Sequence, residues 1–188
     1  MQPDGFIPPH GGYEQLRSYQ RSLLVFDGTL QFCSRFLKHD RRTTDQMVQA
    51  ARSGKQNIVE GSEASGVSKE TEIKLTKVAY ASLGELLEDY RDYIRNHKAV
   101  LWDKNSREAL YVRNLAVRAP DGSRLREFFE TKPDTAVANI IVCLIHQTRY
   151  LINQQVAALE KAFVKEGGIR ERMTRARLEY RKQHPDKR

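Results

Sequence analysis

The 188-residue chain is poor in the residues that build reactive or cross-linked sites, with two cysteines, one tryptophan and five histidines. Cys33 and Cys143 both lie in apolar, helix-like stretches, so we expect free buried thiols, with a single disulfide as the alternative. No two histidines are three or four positions apart, which excludes a metal clamp made from a histidine pair on one helix. We therefore predict no metal site and no cofactor.

Long apolar runs are also missing. The longest run, Ala136 to Ile145, is interrupted by Asn139 and is shorter than the ~18 residues of a membrane span. The first twelve residues contain no Lys or Arg and are not followed by an apolar core, unlike a secretory signal. We expect no membrane segment and a cytoplasmic location.

Strand-like alternation of apolar and polar residues is absent, whereas helical spacing recurs along the chain. Four long segments show this spacing, at about 13–37, 43–61, 69–97 and 134–163. Thr43 or Thr44 is the expected N-cap of the second helix, which should end near Gly61, and Ser68 is the expected N-cap of the third. Short connections between long amphipathic helices are typical of helix bundles. The pattern predicts an all-α fold, an antiparallel up-and-down four-helix bundle.

The expected organisation has three parts. Residues 1–12, rich in proline and glycine, form a loose tail, and residues 13–163 form the bundle, with an insertion at about 98–133. Residues 164–188 form a C-terminal suffix with a short helix beginning at Ile169, after Gly167 and Gly168.

The positive charge is concentrated near the C-terminus. The formal net charge is +8, yet residues 1–160 carry 22 basic and 20 acidic side chains. Residues 161–188 carry 10 basic and 4 acidic side chains, a net charge of +6. This asymmetry suggests a polyanionic partner for the suffix.

The suffix is the best nucleic-acid signal in the sequence, because arginine can donate two hydrogen bonds to one phosphate. On a helix, Arg170, Arg177 and Arg181 share one side, and Arg172 and Arg175 share another. With Lys182 they are our candidate phosphate-binding residues. Two alternatives carry equal weight: a solvated tail, or a helix that docks on the acidic surface of a neighbouring subunit.

No constellation of catalytic residues is present. Di-iron sites in helix bundles need Glu-x-x-His pairs, and the sequence has none, although it has Glu-x-x-Glu pairs such as those beginning at Glu60 and at Glu85. Cys143 and His146 are three residues apart, but Cys143 lies among apolar residues and is expected to be a buried thiol rather than a nucleophile. We expect no enzymatic activity.

Two motifs are familiar. The segment Asn57-Ile58-Val59-Glu60-Gly61, followed by Ala79-Tyr80-Ala81-Ser82-Leu83-Gly84-Glu85-Leu86, resembles a bacterial four-helix-bundle family. That family includes proteins encoded in intervening sequences of large ribosomal RNA genes and accessory variability determinant proteins of diversity-generating retroelements. Tyr13, Leu16, Tyr19 and Gln20 fit its opening motif, and the suffix resembles the C-terminal extension of a longer branch.

The resemblance implies a ring-like homopentamer without enzymatic activity, and in the retroelement branch binding to nucleic acid and to a reverse transcriptase. The chain departs from the family at Val48 and Gln49, where a basic pair is common, and at Lys55, where proline is common. Arg52 and Lys55 are the basic residues that could substitute on the same helix. Structural or interface roles are expected for five residues, Asn57, Glu60, Gly61, Ser82 and Glu85. We expect Asn57 to bond a neighbouring helix and Glu60 to pair with a basic group across a subunit contact. Ligand binding by Asn57 and Glu60 is the alternative.

Two functions follow from these observations. The first is a non-catalytic, homo-oligomeric accessory protein that binds RNA or DNA, together with a reverse transcriptase in the retroelement case. The alternative is a protein-interaction scaffold whose suffix is an assembly arm and does not bind nucleic acid. Neither function requires a membrane or a small-molecule substrate.

Overall fold

The computed structural model of the protein describes residues 10–118 and 121–184. Residues 1–9 of the predicted tail, residues 119 and 120 of the predicted insertion and the last four residues of the suffix lie outside the described residues. In these residues, a short 3-10 helix, Tyr13–Gln15, precedes seven α-helices: α1 Arg17–Phe36, α2 Arg41–Ala64, α3 Lys69–Asn96, α4 Arg107–Arg118, α5 Ser123–Thr131, α6 Asp134–Glu166 and α7 Ile169–Gln183. No strand occurs in the part of the chain that the structure describes, which confirms the all-α class.

Several helix ends differ from the predictions. Leu16 is extended and separates the 3-10 helix from α1, so the helix expected from Tyr13 is interrupted. The N-cap of α2 is Asp40 rather than a threonine: its carboxylate accepts the Thr43 N–H at 3.0 Å, and hydrogen bonds from Thr43 lower its pKa. α2 also continues past Gly61 to Ala64. Ser68 does cap α3, with its hydroxyl oxygen 3.1 Å from the Thr71 N–H.

The four long helices contact one another in a closed cycle. α1 packs against α2 and α6, and α3 packs against the same two helices from the other side. Phe32 and Tyr90 lie fully buried between α1 and α3 with their ring centroids 5.1 Å apart. The Tyr90 hydroxyl donates a hydrogen bond to Thr29 Oγ1 at 3.1 Å, so this buried polar group has a partner.

α2 and α3 approach each other closely along small residues. A Cβ atom added to Gly54 would lie 2.7 Å from Leu83 Cγ, well inside van der Waals contact. Gly61 is buried at the same contact, where its missing side chain would meet the Glu72 carbonyl oxygen at 3.3 Å. Small residues on α2 therefore leave the room that Leu83 and the backbone of α3 occupy.

The insertion contains α4 and α5 and is pinned to the body. Phe128 and Phe129 of α5 are buried together with Leu125, as expected from their apolar character. Phe129 occupies the space above Gly28, where a Cβ would lie 2.8 Å from its ring, so the glycine inside α1 makes room for α5. Arg126 adds an ion pair with Asp27 at 2.9 Å.

One helical stretch, Asp134–Gln183, which spans α6 and α7, passes a length and composition test for crossing a membrane. Its most apolar 18-residue window has a mean hydropathy of 1.3, and 56% of that window is buried inside the protein. The core helix of a soluble protein passes the same test, so this is a weak indication. The absence of a membrane segment remains a prediction.

Candidate nucleic-acid interface

The candidate interface is α7, which begins where two glycines end α6. Gly167 adopts φ 73°, a left-handed conformation that suits glycine, and donates its N–H to the Phe163 carbonyl at 2.9 Å. The Glu171 carboxylate accepts the Gly168 N–H at 2.9 Å and so stabilises the first turn of α7. Arg181 and Lys182 in the last turn complement the helix dipole. Local features alone thus account for the start and the end of α7.

α7 makes little contact with the rest of the protein. None of its residues is buried. Met173, Leu178 and Tyr180 each expose about half of their surface (47%, 52% and 51%). The start of α7 borders a cleft of about 470 Å³ next to the α2–α3 turn, formed with Val67 and Ser68. The start of α7 therefore lies beside the α2–α3 turn, and the helix presents most of its surface to solvent.

The structure brings part of the predicted arginine set together. Arg170 and Arg177 share one exposed side of α7 with Met173 and Tyr180. Arg181 follows Arg177 by four residues and so lies on the same side of the helix. Arg172 and Arg175 lie on another side, and Arg172 is partly buried. The predicted division of the arginines between two sides is consistent with the helix that forms.

Among residues 10–118 and 121–184, no ion pair involves a side chain of α7. α7 carries six basic and two acidic side chains. Among the described residues, every ion pair lies in the body that precedes α7, from Lys69–Glu72 to Arg126–Asp27. Exposed guanidinium groups without a carboxylate partner leave their donors free for phosphate oxygens.

An aromatic pair at the end of α7 was missed in the sequence. The Tyr180 and His184 rings stack with their centroids 4.3 Å apart and an interplanar angle of 20°. His184 Nδ1 also lies 3.0 Å from the Tyr180 carbonyl oxygen. The signal was present, because residues four apart are neighbours on a helix. Stacked exposed rings beside arginines are the kind of platform on which unpaired bases stack.

The two basic candidates on α2, Arg52 and Lys55, lie outside the set of basic and aromatic residues on α7. Arg52 is exposed, and the Lys55 ammonium lies over the Phe26 ring, 5.1 Å from its centroid. Lys55 precedes the end of α2 at Ala64 by nine residues, about 14 Å along the helix axis at 1.5 Å per residue. No contact joins these two side chains to α7 in the described residues, and the prediction that they bind nucleic acid remains open.

The residues expected to be structural lie mainly at the α2–α3 contact. Asn57 donates to the Ser53 carbonyl oxygen at 2.9 Å on its own helix, and Ser53 Oγ lies 2.9 Å from Ser82 Oγ on α3. Within the described residues Ser53 makes the bond to α3, and bonding of Asn57 itself to a neighbouring helix remains a prediction. Glu60 and Glu85 are exposed, and pairing of Glu60 across a subunit contact remains a prediction.

Other site chemistry is limited in the described part of the chain. Within residues 10–118 and 121–184, no group of three or more His, Cys, Asp or Glu side chains could hold a metal ion. Cys33 and Cys143 are free, and burial raises the pKa of both thiols to about 11. A thiol with that pKa is protonated at neutral pH and is a poor nucleophile.

No protein-family model, curated protein or solved structure matches this chain. Only the residues of α7 itself therefore support the candidate interface, and the family resemblance remains an expectation.

Proposed function

We propose that the protein is a non-catalytic, homo-oligomeric accessory protein that binds nucleic acid through α7. The observation that carries this proposal is a solvent-exposed helix with six basic side chains and no ion pair to the described residues of the body. A helix that neither packs on the core nor neutralises its own charge gains its interactions from a partner. Arginine and stacked aromatic rings match the phosphates and the bases of a nucleic acid.

We further propose that α1, α2, α3 and α6 form an antiparallel up-and-down four-helix bundle that assembles into a ring, a homopentamer by family resemblance. The closed cycle of helix contacts supports the bundle. A ring would repeat α7 around its axis, and several weak phosphate-binding helices on one particle would bind a polyanion far more tightly than one helix does. The same resemblance supports a reverse transcriptase as a second partner and a cytoplasmic location in a bacterium.

The test replaces the arginine side of α7 while leaving the helix intact. The variant is Arg170→Gln, Arg177→Gln and Arg181→Gln together. The matched control is Lys38→Gln, Arg41→Gln and Arg42→Gln, three exposed residues in and just before the first turn of α2, about 36 Å from the α2–α3 turn by the length of a 24-residue helix. Both variants lose the same charge, so a difference between them reports position and not net charge.

Binding is measured by fluorescence anisotropy with a labelled single-stranded RNA and a duplex DNA of about 20 nucleotides or base pairs, at about 0.05 M and 0.2 M KCl. We expect the α7 variant to lose at least about tenfold in affinity and to show a shallower salt dependence, because fewer counterions are released. The control should change affinity by less than about threefold. Equal losses in the two variants would contradict the assignment to α7.

The assembly-arm function is the second candidate, and one observation favours it. Ile169, Met173, Ala176 and Tyr180 follow one another at spacings of four, three and four residues along α7, the spacing of a coiled-coil seam. If this seam holds subunits together, Met173→Asp lowers the molar mass of the oligomer in light scattering and the arginine variant does not affect nucleic-acid affinity. If α7 is a nucleic-acid arm, Met173→Asp leaves the molar mass unchanged.

A further inference from the structure

A second candidate binding surface lies on the body of the protein, between α4 and the helix pair α3 and α6. It is an open cleft of about 810 Å³. One wall is a face of α6 that carries Cys143, His146 and Gln147, residues at helical spacing. The other walls are Arg91 of α3, Arg113 of α4 and the segment 101–104 that precedes α4. This volume is in the range of small-molecule binding sites, about 300–1,000 Å³.

The cleft is held in shape by a buried asparagine. Asn139 on α6 is 2% exposed, and its Oδ1 accepts the Trp102 N–H at 2.8 Å. Its amide nitrogen donates to the Val100 carbonyl oxygen at 3.1 Å. Arg113 donates to the Lys104 carbonyl oxygen at the other end of the segment. These bonds fix the backbone of the segment over α6, so the cleft is formed before any ligand binds.

The floor of the cleft is apolar. Leu101, Trp102 and Val142 line it, and the Cys143 thiol is neutral because burial raises its pKa to about 11. Apolar surface of this kind favours a hydrocarbon or aromatic body in the ligand.

The rim of the cleft is cationic. Arg91, Lys104 and Arg113 line it with one carboxylate, Asp103, whose Oδ1 already accepts the Asn105 N–H at 2.7 Å. Burial lowers the pKa of His146 most, the charges of Arg91 and Arg149 lower it further, and the charge of Glu88 acts in the opposite direction. The potential at the rim therefore favours an anion.

Two donors at this cleft lack partners. The Nε2 atom of Gln147 and the Nε atom of Arg91 are buried and have no hydrogen-bond partner among residues 10–118 and 121–184, although Arg91 Nη1 is paired with Glu88. A buried donor without an acceptor is unfavourable, and an anion supplies acceptors.

We propose that this cleft binds a small amphipathic organic anion, a carboxylate or sulfonate with an apolar body, through Trp102, Arg91 and Gln147. The apolar body lies against Trp102 and Val142, and the acidic group accepts hydrogen bonds from Arg91 and Gln147. The proposal is independent of nucleic-acid binding by α7, because the two sites share no residue.

The probe is 8-anilinonaphthalene-1-sulfonate, an aromatic sulfonate, added to the full-length protein. Trp102 is the single tryptophan of the chain and lines the cleft, so its quenching by energy transfer to the dye reports binding. We expect saturable quenching, and we expect the neutral analogue N-phenyl-1-naphthylamine to bind at least about fivefold more weakly because it lacks the anion. Equal affinity for the two dyes would overturn the proposal.

Arg91→Gln and Arg95→Gln form a matched pair. Both arginines lie on α3 and pair with the carboxylate three residues before, Arg91 with Glu88 and Arg95 with Asp92, but only Arg91 lines the cleft. Arg91→Gln should weaken sulfonate binding at least about fivefold, whereas Arg95→Gln should change it less than about twofold. The same response in both variants would show that the dye reads overall charge and would refute the site.

A second pair tests the cleft by volume. Cys143→Leu adds bulk to the floor and should weaken the binding of both dyes, whereas Cys143→Ser keeps the volume and should retain sulfonate binding. Circular dichroism checks that both variants are folded. Undiminished binding to folded Cys143→Leu would place the dye elsewhere, for example on the exposed apolar face of α7, and would overturn the proposal.

Discussion

α6 and α7 are consecutive helices separated by Gly167 and Gly168, and they are stabilised in different ways. α6 buries eleven residues, among them Ile141, Leu144 and Ile145, and contacts α1, α3 and α4. α7 buries none. Helical propensity alone gives only marginal stability to an isolated helix of about 12–15 residues, the length of α7. Packing against the core stabilises α6, whereas α7 lacks that packing. The difference shows that α6 contributes to the core and α7 does not, which is what the proposed binding of a partner by α7 requires.

Amide hydrogen exchange should show the largest contrast between the two helices. Amides in the middle of α6 open only with global unfolding, whereas those of α7 open with a local transition of small free energy. We expect exchange in α7 to be at least about a thousandfold faster than around Leu144, which follows from a global stability of about 5–15 kcal/mol. Mass spectrometry of peptic fragments measures this directly. Protection of α7 equal to that of α6 would mean that α7 is packed in the protein in solution, as the assembly-arm function requires.

The same substitution in both helices gives the next contrast. Leu144 is 0% exposed and Leu178 is 52% exposed. Leu144→Ala should lower the free energy of unfolding by about 2–5 kcal/mol, because it removes buried methyl groups and leaves a cavity. Leu178→Ala should lower it by less than about 0.5 kcal/mol. Urea denaturation followed by circular dichroism gives both values, and a large loss for Leu178→Ala would reveal burial against another subunit.

Two glycines sharpen the contrast further. Gly54→Ala gains helical propensity but places a Cβ 2.7 Å from Leu83 Cγ, so we expect a net loss of about 1–3 kcal/mol in the free energy of unfolding. Gly167→Ala strains a residue at φ 73° by about 1–2 kcal/mol, at a joint that carries no core packing. Thermal melts should therefore show a lower Tm for Gly54→Ala and almost no change in global Tm for Gly167→Ala. A more stable Gly54→Ala variant would show that Leu83 has room to move.

Periodicity predicted the helical class and the separate terminal helix, because each depends on spacing within one segment. The Ser68 cap was predicted for the same reason, whereas the α2 cap was missed because the charged run containing Asp40 resembled a polar turn. The break at Leu16 was also missed, since the apolar spacing continues through it.

The cleft beside α4 could not be predicted from sequence patterns. Its walls come from residues far apart in the chain, such as Arg91, Arg113 and Gln147, and periodicity does not show which segments meet. The residue that shapes it, Asn139, looked only like an interruption of an apolar run, although it bonds the backbone at Val100 and Trp102. The patch on α7 was easier to predict because it depends on one helix alone.

The smallest effect concerns an exposed charge pair in the body. Lys77 on α3 and Glu160 on α6 lie 2.8 Å apart with more than half of each side chain exposed. A double-mutant cycle with Lys77→Met and Glu160→Gln should give a coupling free energy of about 0–1 kcal/mol, smaller at high salt, since exposed pairs are well screened. Arg177 on α7 forms no ion pair within residues 10–118 and 121–184, so Arg177→Gln should leave the free energy of unfolding unchanged while lowering nucleic-acid affinity. If neutralising Arg177 instead changed stability as much as breaking Lys77–Glu160, the charges of α7 would contribute to the fold, and the division between the two helices would fail.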